Sequence, residues 1–506
     1  MSDSFFQARD QAIPYPSRPV PLSHPTHLYV VGRLHGLDPV AMDGAPAAPV
    51  ARVLELGCGA GGNLLPMAAS LPGVEFVGVD LSGPQIDLAR VAAVTAGINN
   101  VEFLAGDALS ALDGRGDLSF DYIILHGLYS WVSAAVQDAL LPLCSKFLSD
   151  NGIIYISYNT YPGWHGRGLI RDLMLRACAD LSDPTERATA ARGALDRLVA
   201  AYAQPDDAYA NLLAEEQQRV AALEDGFLLH DLLEAENHPI YVDEFLRRGA
   251  DAGLQFVSES NVAASREENF APGVRLHLSA IDDLVQREQN VDFLLNRSFR
   301  QSVLCKAGHN VRRQISAEWL SGLYLASPVR PLGQLPEGEP GEAFFATPDG
   351  GRFGMTTPSA ISALNHLALA WPDFIALEDL AAKVGDPAIV AQLVIDLYPR
   401  NWLDLLPLAP GFVMLPGPRP MVTPLARVQI VTGEHVTDLR HRSVLITDSF
   451  TRQLIPHLDG QTDRADLLAA VAGFEISGRP QIANDDPEAL LDAALHQLAE
   501  RCLLVQ

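Results

Sequence analysis

Val53-Leu54-Glu55-Leu56-Gly57-Cys58-Gly59-Ala60-Gly61-Gly62-Asn63 decides how this chain is read. A β-rich run enters it and a helical pattern leaves it, so the glycines fall in a strand-to-helix turn. Glycine lets the backbone turn sharply there and approach a ligand without a Cβ in the way. Gly57, Gly59 and Gly62 also satisfy G-x-G-x-x-G, so the loop alone leaves a dinucleotide and another adenosyl ligand both open.

The residues that follow narrow the choice. Asp80 ends a second strand, VEFVGVD, about 20 residues beyond the glycines, where a carboxylate accepts from both ribose hydroxyls. In Leu81-Ser82-Gly83-Pro84-Gln85, Ser82 and Gln85 predict a capping box with Pro84 in the first turn. Asp107 ends a third strand, in FLAGDA, placed to accept from an adenine amino group. Leu81 and Ala108, next to these acids, and His126, after the fourth strand, join the expected cofactor contacts. Glu55 precedes the first glycine and suits a positively charged methionine end. The competing role for Glu55 is a carboxylate buried at a strand end and satisfied by backbone N–H groups. Acids after strands two and three favour S-adenosylmethionine (SAM) over a pyrophosphate ligand, which would need a helix N-terminus instead.

Beyond the loop, RVLELG, VEFVGVD, VEFLAGD, FDYIILHG and GIIYISYN alternate with helical patterns. That rhythm predicts a doubly wound, Rossmann-like parallel sheet covered by helices. The strands GLQFVSES and FRQSVLCKAG complete it as a hairpin-like pair at the far edge, and Gly253 stops the helix before the first of them. The divisions expected are an N-terminal arm (1–50), with a loose linker at 43–51, and the first part of the core (51–165). A helical insertion (166–240), acting as a dimerisation unit or lid, and core completion (241–310) follow. A winged-helix-like middle domain (311–425) and a C-terminal α+β domain (426–506) end the chain. The middle domain should hold a hairpin around PDGG and a β-ribbon in GFVMLPGPRPMVTPLA.

In open α/β sheets, ligands sit at the carboxyl ends of the strands. Two aromatic loops fall there: Leu125-His126-Gly127-Leu128-Tyr129-Ser130-Trp131 and Ser157-Tyr158-Asn159-Thr160-Tyr161-Pro162-Gly163-Trp164. Such a wall holds a methyl-accepting amine by cation–π and van der Waals contact. The methyl-acceptor (catalytic) candidates are therefore Tyr129, Trp131, Tyr158, Asn159, Trp164 and His126. His230, Asp231, Asn237 and Tyr241 are expected to tie the insertion to the core.

Composition supports these expectations from outside. Sixty-two acidic against 36 basic residues give a net charge of −26 over 506 residues. That balance argues against nucleic acid, whose phosphates need clustered Lys and Arg, and against an anionic membrane. Five scattered cysteines without a CxxC pair predict a reducing compartment and no metal site. With no secretory pattern and no run near ~20 apolar residues, a cytoplasmic protein is expected.

The runs YPSRPVPLSHPTHL, VLELGCGAGGNLLPMA, HGLYSWV, ISYNTYPGWHGRGLIRDLM, LLHDLLEAENHPIYVDEFLRRGADAGLQF and DFLLNRSFRQSVLC resemble bacterial class I SAM-dependent methyltransferases carrying a methyltransferase regulatory region. That group includes outer-membrane-protein lysine methyltransferases. The resemblance covers most of residues 14–310 and departs at SHPTH, where relatives carry a THPD-like run. It implies SAM as cofactor, S-adenosylhomocysteine as product, a helical dimerisation insertion and hence a homodimer. It carries cofactor contacts onto Gly57, Gly59, Asp80 and Asp107, and places Tyr15 near them. The function expected is N-methylation of lysine side chains on a protein substrate. A small-molecule acceptor, or SAM-responsive regulation without turnover, are the alternatives.

Overall fold

The computed structural model describes residues 13, 15–42, 50–116, 118–202, 207–334, 341–474 and 486–505; most of the expected 43–51 linker lies outside them. Seven strands form one sheet in the order β3-β2-β1-β4-β5-β7-β6. They are β1 Arg52–Leu56, β2 Glu75–Asp80, β3 Val101–Ala105, β4 Phe120–Leu125, β5 Leu148–Asn159, β6 Leu254–Glu259 and β7 Phe299–Lys306. Strands β1 to β5 pair in parallel, whereas β7 runs antiparallel to both β5 and β6. The edge pair is therefore a reversed strand wedged between two parallel ones.

Burial on both faces follows from alternation along each strand. Val53, Phe76, Tyr122, Ile153 and Tyr155 pack on one face. Leu54, Val77, Ile123, Ile154 and Ile156 pack on the other. Gly253 has a φ of +77° just past the helix Val242–Asp251, the left-handed stop its sequence position predicts.

The insertion folds as helices Gly163–Ala177, Pro184–Ala201 and Ala208–Ala221 around Trp164, Met174, Leu195 and Leu213. Asp183 and Asp207 cap the second and third by accepting from Glu186 N and from Tyr209 N and Ala210 N. The sequence pattern continued the third helix to about residue 236, but the chain breaks at Ala222 and resumes as a short helical turn, Asp225–Phe227, that leads into a π-turn, Leu228–Leu232.

Two expected boundaries need correction, because 165/166 and 425/426 fall inside the helices Gly163–Ala177 and Pro424–Thr432. In the latter, Leu425 packs in the cluster shared by the sheet and the middle unit, while Ala426 packs in the C-terminal cluster. One helix thus serves two cores. The hairpin around PDGG is present as Ala343–Ala346 paired with Arg352–Met355. The β-ribbon expected over 411–426 is not: Met421 and Val422 make only isolated bridges, to Asp459 and Leu504. Pro416, Pro418 and Pro420 remove the donors a ribbon needs. The middle unit builds its small sheet from Tyr324–Ala326, Ile375–Ala376 and Asp404–Leu406 instead. Among the described residues, no helix is long and apolar enough to cross a membrane.

Candidate cofactor and acceptor site

Strands β1 and β2 end side by side, and their loops are bolted together at Asp80. One carboxylate oxygen accepts from Gly59 N–H at 2.8 Å and the other from Ser82 N–H at 2.9 Å. Gly57, Gly59 and Gly61 have φ of +80°, +52° and +75°, a path that side-chain-bearing residues rarely follow. Leu81 stands 77% exposed beside this cradle. Asp107 is exposed at the end of β3, with Oδ1 accepting from Leu109 N–H, and Ala108 is half-buried. The expected capping box is absent: Ser82 is the N-cap residue, but its hydroxyl makes no cap bond and Gln85 is buried.

Glu55 is 3% exposed, and the source of its hydrogen bond differs from expectation. Oε1 accepts from the side-chain amide of Asn63 at 2.7 Å rather than from the backbone, and Oε2 has no partner among the described residues. Burial pushes the carboxyl up to about 8, against the Asn63 bond and with help from Asp80. The buried carboxyl oxygen beside the glycine turn and the acids after β2 and β3 make a donor-accepting set that an adenosyl ligand with a cationic end would fit. Because the folded form holds this proton above the ordinary value of 4.5, Glu55 favours folding most at low pH. That contribution fades as pH rises towards 8. Glu55→Gln should therefore flatten the fall in stability between pH 5 and 8, read from urea midpoints across that range.

Asn63 is the junction of the site. Its Oδ1 accepts from Val20 N–H and from His441 Nε2, both at 2.8 Å, and its amide nitrogen donates to Ser23 Oγ and Glu55 Oε1. The backbone donor Val20 N–H orients the amide, so His441 is the Nε2–H tautomer. The arm runs across the loop at this point. Ser17 Oγ accepts from Gly62 N–H at 2.7 Å, and a Cβ on Gly62 would lie 2.2 Å from Ser17 O. Tyr15, two residues earlier, packs edge-on against Phe227 and His230 of the insertion. Ser17, Asn63 and His441 escaped sequence reasoning because their partners lie 45, 43 and 378 positions away.

The aromatic loops are brought together, but most of their rings turn inward. Tyr129 and Tyr158 are 0% and 1% exposed and pack against Phe245, with Tyr158 bonded to Ser302 Oγ. They are core residues of the sheet, not an acceptor wall; the strand alternation that buries β5 on both faces carries Tyr158 inward. Trp164 is a buried residue of the insertion's core, and Trp131, half-buried, packs edge-on against it at 6.2 Å. Asn159 is buried, its amide donating to Asn237 Oδ1 at 2.9 Å, while His230 bonds Ile13 O. The tie between insertion, arm and core is thus a set of hydrogen bonds.

His126 remains at the rim. Gln301 donates to Tyr155 Oη at 2.7 Å, and Tyr155 Oη lies 3.0 Å from His126 Nδ1. Tyr155 thus holds the imidazole through Nδ1 and leaves Nε2 for the rim. Burial lowers His126 to about 4, so the ring is neutral near pH 7. Phe299, 41% exposed, packs edge-on to His126, and Phe293, 56% exposed, packs near Tyr241. These apolar rim residues were missed, although the run DFLLNRSF signals them with three exposed large side chains beside Phe299, namely Phe293, Leu294 and Leu295.

The sheet order with its reversed seventh strand, the glycine cradle and the acids at the ends of β2 and β3 define the class I SAM-dependent methyltransferase fold. A methyltransferase-domain family model matches residues 53–152, a predicted methyltransferase regulatory domain matches 224–306, and a PKMT C-terminal winged helix domain matches 418–504. The chain belongs to the family of methyltransferase-domain proteins with a methyltransferase regulatory domain, together with uncharacterized protein RP028 of Rickettsia prowazekii. It is 34% identical to that protein over 236 residues, which are 47% of this chain and 91% of the relative. Uncharacterized protein RP789 of the same organism is 36% identical over 64% of this chain, and the match spans 58% of that protein's length. Among solved structures, PKMT2 from Rickettsia typhi in complex with AdoHcy is similar over 97% of this chain and 100% of its own. The TM-score is 0.84 at 26% identity.

Proposed function

We propose that this chain is a SAM-dependent N-methyltransferase acting on lysine side chains of a protein, as a cytoplasmic homodimer. The observation that carries the reading is the glycine turn at Gly57 and Gly59 with Glu55, Asp80 and Asp107 at the strand ends, within a fold similar over 97% of this chain to PKMT2 with AdoHcy. When bound, SAM supplies an activated methyl group on sulfur. The chain's own share is placement. Asp80 holds the ribose, Glu55 loses its proton to water as the ammonium enters and then answers its charge, and the loop fixes the direction from which an amine must approach. His126, held through Nδ1 by Tyr155, turns Nε2 to the rim, and a lysine ammonium loses its proton to water before transfer. The exposed Phe293 and Phe299 give the rim an apolar surface suited to a polypeptide acceptor.

Incubation of the full chain with radiolabelled SAM and a bacterial proteome, followed by peptide mapping, tests this. Label on lysine side chains of proteins is expected. Label only on metabolites would move the acceptor to a small molecule, and SAM binding without label on anything would leave a regulator.

A further inference from the structure

On the side of the sheet covered by the helix Pro25–Leu34, a cavity of about 690 Å³ opens where core, middle unit and C-terminal unit meet. No residue of the glycine loop lines it, nor do Glu55, Asp80 or Asp107. Its volume lies within the ligand-pocket range of roughly 300–1,000 Å³. Leu22, Val262, Phe374, Leu406, Leu408 and Met421 make its surface largely apolar, and its charged side chains are Asp404, Arg440 and Arg442.

These charges are not equivalent. Arg440 is used by the fold: it pairs with Asp404, reaches Pro372 O, and stacks on Trp371 at 4.4 Å and Phe374 at 5.0 Å. Arg442 is 47% exposed and approaches Asp404 only at 3.6 Å. The lining histidines His24, His27 and His441 are held below the usual imidazole range by burial, so they add no charge near pH 7. The lining thus sets two guanidiniums against one carboxylate, with the buried Asp438 acting on both, and Arg442 offers the exposed planar guanidinium suited to a carboxylate. A phosphate would bring a second negative charge toward Asp404.

The cavity also reaches the cofactor loop. His441 forms part of its wall, stacks edge-on to His24 at 4.8 Å, and donates to Asn63, which donates to Glu55. His441 adopts φ +58°, a conformation uncommon for a side-chain-bearing residue, in the turn between the antiparallel strands His435–Thr437 and Ser443–Leu445.

We propose that this cavity is a second ligand site, taking an apolar chain that ends in a carboxylate, and that its occupancy is transmitted to the cofactor loop through His441 and Asn63. The carboxylate pairs with Arg442, the chain lies along Leu406, Leu408 and Met421, and a displaced His441 alters the grip of Asn63 on Glu55.

Calorimetric titration of the full chain with decanoate tests the site, and titration with S-adenosylhomocysteine with and without decanoate tests the coupling. Decanoate should bind saturably at one site per chain, with at least tenfold weaker binding for Arg442→Gln and for decan-1-ol on the parent. Saturating decanoate should change S-adenosylhomocysteine affinity at least threefold. His441→Ala should abolish that change while still binding decanoate, and His441→Gln, which keeps a donor for Asn63, should restore it. Absence of saturable binding, or equal binding of the alcohol, overturns the site. An unchanged cofactor affinity, or coupling that survives in His441→Ala, overturns the transmission. None of these readouts requires methyl transfer, so they stand apart from the identity of the acceptor.

Discussion

Replacing Asp80 with alanine should weaken S-adenosylhomocysteine binding by about 100-fold or more. Two losses combine. The ribose hydroxyls lose their carboxylate acceptor, and hydrogen bonds to a charged group contribute about 1.5–3 kcal/mol each. Two such bonds correspond to roughly two or more decades in affinity. In addition, Gly59 N–H and Ser82 N–H lose the acceptor that sets the spacing of the two loops. Asp80→Asn retains one acceptor oxygen and should fall between the two. Calorimetry gives the affinities, and thermal melting separates a lost site from a lost fold. Binding by the alanine variant within tenfold of the parent would remove Asp80 from the cofactor site.

The second large effect is on stability. Arg300 is fully buried and bonds to Glu259 at 2.8 Å, Glu288 at 3.0 Å and Asp292 at 2.8 Å, joining β6, β7 and the helix Leu284–Leu295. Burial pushes Asp292 up to about 6 even with the guanidinium present. Burial also acts to raise Glu259, but Arg300 and Arg297 hold it below its ordinary value. Arg300→Met leaves these acids without their shared counter-charge, and breaking a buried ionic cluster on one side costs about 3–5 kcal/mol. The orphaned carboxyls will take up protons in the folded state, so the loss should be greater at pH 8 than at pH 5.5. Urea unfolding at the two pH values measures it. A loss below about 1 kcal/mol at pH 8 would mean that the cluster is solvated in solution. The same cluster reaches Tyr158 through Glu259 and Ser302, which is why that ring is held in the core and not offered to an acceptor.

The sheet was legible because its information is local. Val53–Leu56 is a short apolar run with the glycines directly behind it, and Asp80 and Asp107 close or follow similar runs, so strand, turn and acid can be read within a dozen residues. Gly253 was legible for the same reason. The ribbon over 411–426 was misread because its glycines resembled turn chemistry while its prolines, which remove donors, were discounted. The aromatic loops were misread differently. Spacing after a strand says which end of the sheet a ring occupies, but not whether Phe245, 87 residues beyond Tyr158, arrives to bury it.

The sequence by itself determined the fold class and the glycine turn with its strand-ending acids, because these act through near neighbours and backbone conformation. Only the tertiary structure decided that Glu55 is gripped by Asn63, that Asn63 is gripped by the arm and by His441, and that Tyr129, Tyr158 and Trp164 belong to cores. Those contacts join residues tens to hundreds of positions apart. Whether such a side chain faces ligand or core depends on which distant element packs against it, and no local pattern records that.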